Sequence, residues 1–146
     1  MKISARTRYG LRILLDVAQH ESDKSPRSIR DIAKAQGISG AFISRLVVPM
    51  KRAGLIRSLR GIGGGFRLAK SPDNISILDI MNTLDGPVSL LKCISTPKTC
   101  SRHACCPSRS IWTDLNTTIC DALASITLSK VMSRIGVKDT VGDYCI

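Results

Sequence analysis

The chain has 146 residues, with 22 Lys and Arg against 11 Asp and Glu, for a formal net charge of +11. At 43% hydrophobic and 23% charged its composition is that of an ordinary globular protein, which excludes a disordered or collagenous chain. The length suits one small domain, or one domain with an appended arm, and no run approaches the ~20 apolar residues of a membrane-spanning helix.

In chain order, Ser4 is a plausible N-cap for an amphipathic helix of about five turns, whose Leu11, Leu14, Leu15 and Ala18 fall at i, i+3, i+4, i+7. Arg12 and Asp16 interrupt its apolar run too early for a secretory leader. A cytoplasmic location is therefore expected. Residues 20–26 are polar, contain Pro26 and read as a loop. Ser28 and Asp31 form a capping-box pattern that opens a short helix ending at Gly37, and Ser39 caps the next. That next helix places Ile43, Leu46, Val47 and Met50 on one face and Ala41, Ser44, Arg45 and Val48 on the other, with Lys51 and Arg52 just beyond. Two short helices around a tight Gly-containing turn match a helix-turn-helix. Pro49 removes one helical hydrogen bond and predicts a bend rather than a new element.

After Gly54 the period changes. Residues 55–59 and 66–68 predict a two-stranded ribbon around a glycine-rich turn, the wing of a winged helix. Neither a dinucleotide fingerprint nor a phosphate-cradling Gly-Lys-Ser/Thr loop is present, so the glycines do not indicate a nucleotide site. Ser76 and Asp79 open another helix, with Ile77, Ile80, Met81 and Leu84 on one face, and Asp85-Gly86-Pro87 stops it. Residues 87–107 show no sustained period. From Ser108 a long helix is predicted, with Trp112, Leu115, Ile119, Leu123 and Ile126 spaced as a helix-packing seam suited to dimerisation. The expected organisation is a DNA-binding domain over 1–84, a cysteine-rich loop over 85–107, a dimerisation helix over 108–133 and a tail over 134–146.

Charge follows this division. Residues 1–70 carry 15 basic and 4 acidic side chains, and residues 71–146 carry 7 of each, so the whole excess lies in the first half. That asymmetry points to a polyanion-binding module joined to something else. With only five aromatic residues the chain lacks the stacking platforms of single-strand recognition, which makes duplex DNA the expected partner.

The neutral half contains Cys93-x6-Cys100-x4-Cys105-Cys106, with His103 inside and Lys92, Lys98, Arg102 and Arg109 around it. In a reducing compartment such thiols are free, metal-bound or redox-sensing rather than structural disulfides. The nest of soft ligands suits zinc or an iron–sulfur cluster. The absence of a Cys-x2-Cys knuckle speaks against a structural zinc site and a thioredoxin-like enzyme. Cys120 reads as a small packed residue and Cys145 as incidental. Two histidines and no catalytic pairing give no basis for an enzyme or a small-molecule substrate.

Arg8-Tyr9-Gly10-Leu11-Arg12, Ile32-Ala33, Gly37-Ile38-Ser39, Lys51-Arg52-Ala53-Gly54-Leu55 and the run from Arg60 to Leu68 occur in order. Followed by Ile75-Ser76-Ile77-Leu78-Asp79-Ile80, three spaced cysteines and Trp112, they resemble the Rrf2 family of bacterial winged-helix regulators over about residues 1–130. The resemblance implies a mainly α fold with a small β-wing and a long dimerisation helix, in a homodimer that binds a palindromic operator as a transcriptional regulator, with repression the expected sense. It implies an iron–sulfur cluster, 2Fe-2S or 4Fe-4S, on Cys93, Cys100 and Cys106, the last preferred over Cys105 for its offset to Trp112. The signal would be iron, redox state or nitric oxide. Arg109 stands where cluster-binding members have a histidine, and Arg8 where nitric-oxide sensors have an acidic ligand. The fourth ligand therefore stays open between His103, Cys105, a residue of a second subunit or none. On the DNA side Ala41, Ser44 and Arg45 occupy the base-contacting region, and Arg45 is the first choice to read a guanine. Lys51, Arg52 and Arg57 are expected on phosphates, and Arg60 in the minor groove. The alternative is the same DNA-binding regulator with a thiol-switch or zinc-binding loop.

Overall fold

The computed structural model describes residues 2–23, 25–61 and 63–136. Helix α1 (Ala5–Gln19) begins where Ser4 Oγ accepts the Thr7 N–H at 3.1 Å; at 15 residues it has about four turns rather than five. Ser4 and Thr7 also donate their hydroxyls to the Asp85 carboxylate at 2.6–2.8 Å, fastening the start of α1 to a later helix end. Helix α2 (Ile29–Gln36) carries the Ser28–Asp31 capping box, and α3 (Gly40–Arg52) is capped by Ser39. Helix α3 runs through Pro49. Burial of Leu46, Val47 and Met50 is worth roughly 1.5–3 kcal/mol each and outweighs the ~3 kcal/mol cost of an internal proline.

Strands β1 (Ile56–Leu59) and β2 (Gly65–Leu68) pair antiparallel, with Ile56 opposite Leu68 and Arg57 opposite Arg67. The return strand starts one residue earlier than the sequence predicts. Arg27 adds a short third rung on the other edge of β2: its N–H donates to Phe66 O at 3.1 Å, and the Phe66 N–H donates to Arg27 O at 2.8 Å. This close approach dictates Gly65, where a Cβ would stand 2.5 Å from Arg27 O. Gly65→Ala should therefore cost about 2–3 kcal/mol, as overpacking against unyielding backbone does. Urea unfolding checks this, and an unchanged midpoint would show that the rung does not pin the wing.

The same loop carries a buried ionic network. Asp16, 2% exposed, accepts from Arg27 Nε at 2.6 Å and from Gln36 Nε2 at 3.0 Å, and Arg12 donates to Gln36 Oε1 and O. The acidic residue that interrupts the apolar face of α1 thus ties α1, α2 and the wing together.

Helix α4 (Ile77–Asp85) carries the Ser76–Asp79 capping box. It closes a core of Ile13, Leu14, Ile32, Ile43, Leu46, Met50, Leu55, Ile80 and Leu84. The segment read as having no period holds single helical turns, α5 (Lys92–Ser95) and a 3-10 turn over Pro97–Thr99.

One expectation is corrected. The helix predicted over 108–133 is two helices, α6 (Arg109–Ser125) and α7 (Leu128–Gly136). The Ile77 N–H donates to Ile126 O at 2.9 Å, and the Leu128 N–H to Ile75 O at 2.7 Å. This bridge between Ser76 and Thr127 holds the chain extended for two residues. Leu128 is fully buried in the core and α7 packs on α1 and the 3-10 turn Pro72–Asn74, so residues 128–136 belong to the first domain rather than to a dimerisation arm or a tail. Cys145 and the rest of the expected tail lie outside the described residues. Among the described residues no helix is long and apolar enough to cross a membrane.

Candidate functional site

Two separate surfaces collect the residues singled out above. The first is the outer face of α3, where Ala41, Ser44, Arg45, Val48, Lys51 and Arg52 are all exposed. Ser44 donates its hydroxyl to Gly40 O at 2.9 Å, which leaves its oxygen free to accept. Arg45 is thus the donor at the centre of the stripe.

Sequence reasoning missed two neighbours. Tyr9 packs edge-on against Phe42, with ring centroids 5.6 Å apart and planes at 88°. The guanidinium groups of Arg8 and Arg12 lie 5.9 and 5.3 Å from the centre of the Tyr9 ring, so α1 brings two more cations beside the start of α3. The placement of Arg12 three residues after Tyr9 is the signal that could have found it.

The wing arginines divide by role. Arg60 is exposed at the start of the turn. Arg57 is exposed, but its Nε donates to Leu68 O at 3.3 Å and steers the side chain along the ribbon. Arg67 is spent structurally, donating to the carbonyls of Glu21 and Asp23.

The second surface is the cysteine loop. Cys93, Cys100, His103 and Cys106 line one cavity of about 80 Å³, together with Leu91, Ser108, Arg109 and Trp112. The three sequence-selected cysteines are each partly buried, whereas Cys105 is exposed and does not line the cavity. Cys106 Sγ lies 3.5 Å from Ser108 Oγ. The Ser108 hydroxyl and N–H, with the Arg109 N–H and charge, hold the Cys106 thiol below the ordinary cysteine range. Arg109 also donates from Nη1 to His103 O at 3.1 Å, closing the loop on itself. Among the described residues no three His, Cys, Asp or Glu side chains are placed to hold a metal ion.

The loop is tied to both sides of the molecule. The Val88 N–H donates to Asn82 Oδ1 on α4 at 3.0 Å, and the Leu90 N–H to Asn116 Oδ1 on α6 at 2.9 Å. Cys120 sits at this junction, partly buried, and accepts from Asn116 Nδ2 at 3.6 Å, away from the cavity. Neither asparagine carried a sequence signal. On α6, Trp112 and Leu115 of the predicted seam are 41% and 45% exposed and Ile111 beside them 60%, so this end of the seam is only partly covered by its own domain.

Residues 3–134 match the family described as Rrf2, iron-dependent transcriptional regulator. The chain is 38% identical to the HTH-type transcriptional regulator IscR of Vibrio vulnificus (strain YJ016) over 133 residues, 91% of this chain and 78% of that protein. It superposes on CymR, the global cysteine regulator of B. subtilis, with a TM-score of 0.74 and 32% identity, covering 92% of this chain and 98% of that one. For the T. potens IscR structure the TM-score is 0.72 and the identity 28%, with 99% and 94% of the two chains covered. With its winged-helix fold, a mainly α body bearing a small β-ribbon, the chain belongs to the Rrf2 family of transcriptional regulators and is not an enzyme.

Proposed function

We propose that the chain is a homodimeric, DNA-binding repressor that senses iron, redox state or nitric oxide through an iron–sulfur cluster on Cys93, Cys100 and Cys106. The single observation that carries the sensing assignment is the shared cavity, which gathers these three thiols and His103 and leaves Cys105 out. Ligands of a mononuclear site converge on a point, whereas those of a cluster are divided among several irons and surround a volume. Three thiols lining one cavity supply the soft ligand set that such a cluster takes. When bound, the cluster supplies a group whose charge and integrity respond to oxidants. Arg109 and Lys92 offset the negative charge of the thiolates, and His103 is the fourth ligand this geometry favours.

On the DNA side, α3 enters a major groove with Arg45 reading a base, flanked by Ala41 and Ser44. Lys51 and Arg52 hold phosphates, Arg57 borders them along the ribbon, and Arg60 reaches the adjacent minor groove. A two-fold dimer joined through Ile111, Trp112 and Leu115 requires palindromic half-sites about one turn of DNA apart, ~34 Å. A change at the cysteine loop reaches α4 through Val88 and Asn82, and α6 through Leu90 and Asn116.

The lowered Cys106 thiol favours one second reading, a cluster-free thiol switch on the same DNA-binding body. Anaerobic purification separates the two. Stoichiometric iron and sulfide with visible absorbance, and operator affinity that changes when the cluster is removed, support cluster sensing. A colourless protein after anaerobic reconstitution leaves the thiol switch.

A further inference from the structure

We infer that Val48 is a specificity-determining residue that reads the C5-methyl group of a thymine in the operator's major groove; this rests on the DNA-binding reading of α3. In the second half of α3 the apolar side chains Leu46, Val47 and Met50 are at most 5% exposed, whereas Val48 is 48% exposed. It is seven residues after Ala41, four after Ser44 and three after Arg45, so it continues their stripe one turn further along the helix.

A half-exposed valine at this position is disfavoured by local rules. Its β-branch lowers helix propensity, and the residue before a proline is disfavoured in the helical region. The local sequence and the fold disagree here, which is where a functional requirement is expected.

The surroundings decide what covers it. Arg45, Lys51 and Arg52 flank Val48 on the same exposed surface, so the partner is a polyanion. Base edges in the major groove of duplex DNA offer one apolar group, the thymine methyl. Valine presents two methyl groups on a stiff stem and has no donor or acceptor with which to contact anything else there.

The test uses the full chain and a duplex obtained by selection from random sequence. Each thymine of the selected site is replaced in turn by deoxyuridine, which removes the methyl and nothing else. The wild-type chain should lose about fourfold in affinity at one thymine per half-site, and about fifteenfold when both symmetric positions are changed, as expected for uncovering one methyl each. Val48→Ala, which favours the helix and is not expected to unfold it, should discriminate thymine from uracil at that position clearly less than the wild type does. The inference is overturned if no thymine shows the effect in the wild type, or if Val48→Ala keeps the full discrimination. If selection enriches no sequence at all, the DNA-reading assignment of α3 falls, and Val48 with it.

Discussion

Alanine at Cys93, Cys100 or Cys106 is expected to abolish the visible absorbance, iron and sulfide of anaerobically prepared protein, while alanine at Cys105 or Cys120 leaves all three in place. The contrast between Cys105 and Cys106 is the demanding part. The two are adjacent in sequence and chemically identical, yet only Cys106 lines the cavity with Cys93 and Cys100, and Cys105 is turned to solvent. Ser108 and Arg109 stabilise the thiolate of Cys106, the ligand-competent form. Cys120 is bonded to the Asn116 junction instead. None of the loop cysteines belongs to the hydrophobic core, so the variants should melt with the wild type and still bind random duplex. His103→Ala is expected to give a cluster that assembles but is lost faster in air. Equal loss of iron from the Cys105 and Cys106 variants would sink the ligand assignment. A wild type that takes up neither iron nor sulfide would leave the thiol switch as the reading.

What could be read from the sequence was what local rules determine. The capping boxes at Ser28 and Ser76, the apolar stripe Ile43, Leu46, Val47 and Met50, and the glycine turn between two short strands each depend on residues within a few positions, and the structure reproduces them. The break between α6 and α7 was not legible because its cause lies about fifty positions away, in the bridge between Ser76 and Thr127 and the burial of Leu128. The wing charges show the same limit. Arg57, Arg60 and Arg67 look equivalent as letters, but the carbonyls of Leu68, Glu21 and Asp23 occupy two of them. Spacing alone also left His103 and Cys105 as equal candidates for a fourth ligand. Only the path of the loop, with Arg109 holding the His103 carbonyl, brings one of them to the cavity.

Arg45→Ala should weaken binding to the selected operator by about 30-fold at the least, because a homodimer loses one bidentate arginine–guanine pair, worth ~1–3 kcal/mol, in each half-site. Binding to random duplex of the same length should fall much less. The reason is the composition of the α3 face. Ala41 has no polar group, Ser44 has its hydroxyl proton committed to Gly40 O, and Val48 is apolar, so Arg45 is the one donor in the stripe able to distinguish a guanine from the other bases. Lys51 and Arg52 lie in the last turn of the helix, where the proposed phosphate contacts would contribute charge without sequence information. The two classes separate in salt titrations. Arg45→Ala should lower operator affinity while mainly relaxing preference at one base pair per half-site. Lys51→Ala should weaken operator and random duplex alike and reduce the slope of log affinity against log salt by about 2, one phosphate contact per subunit. If Arg45→Ala instead reduced both duplexes equally, Arg45 would be a phosphate contact. The reading of the operator would then rest on Val48 and on DNA shape, with Arg60 in the minor groove as the residue to test next.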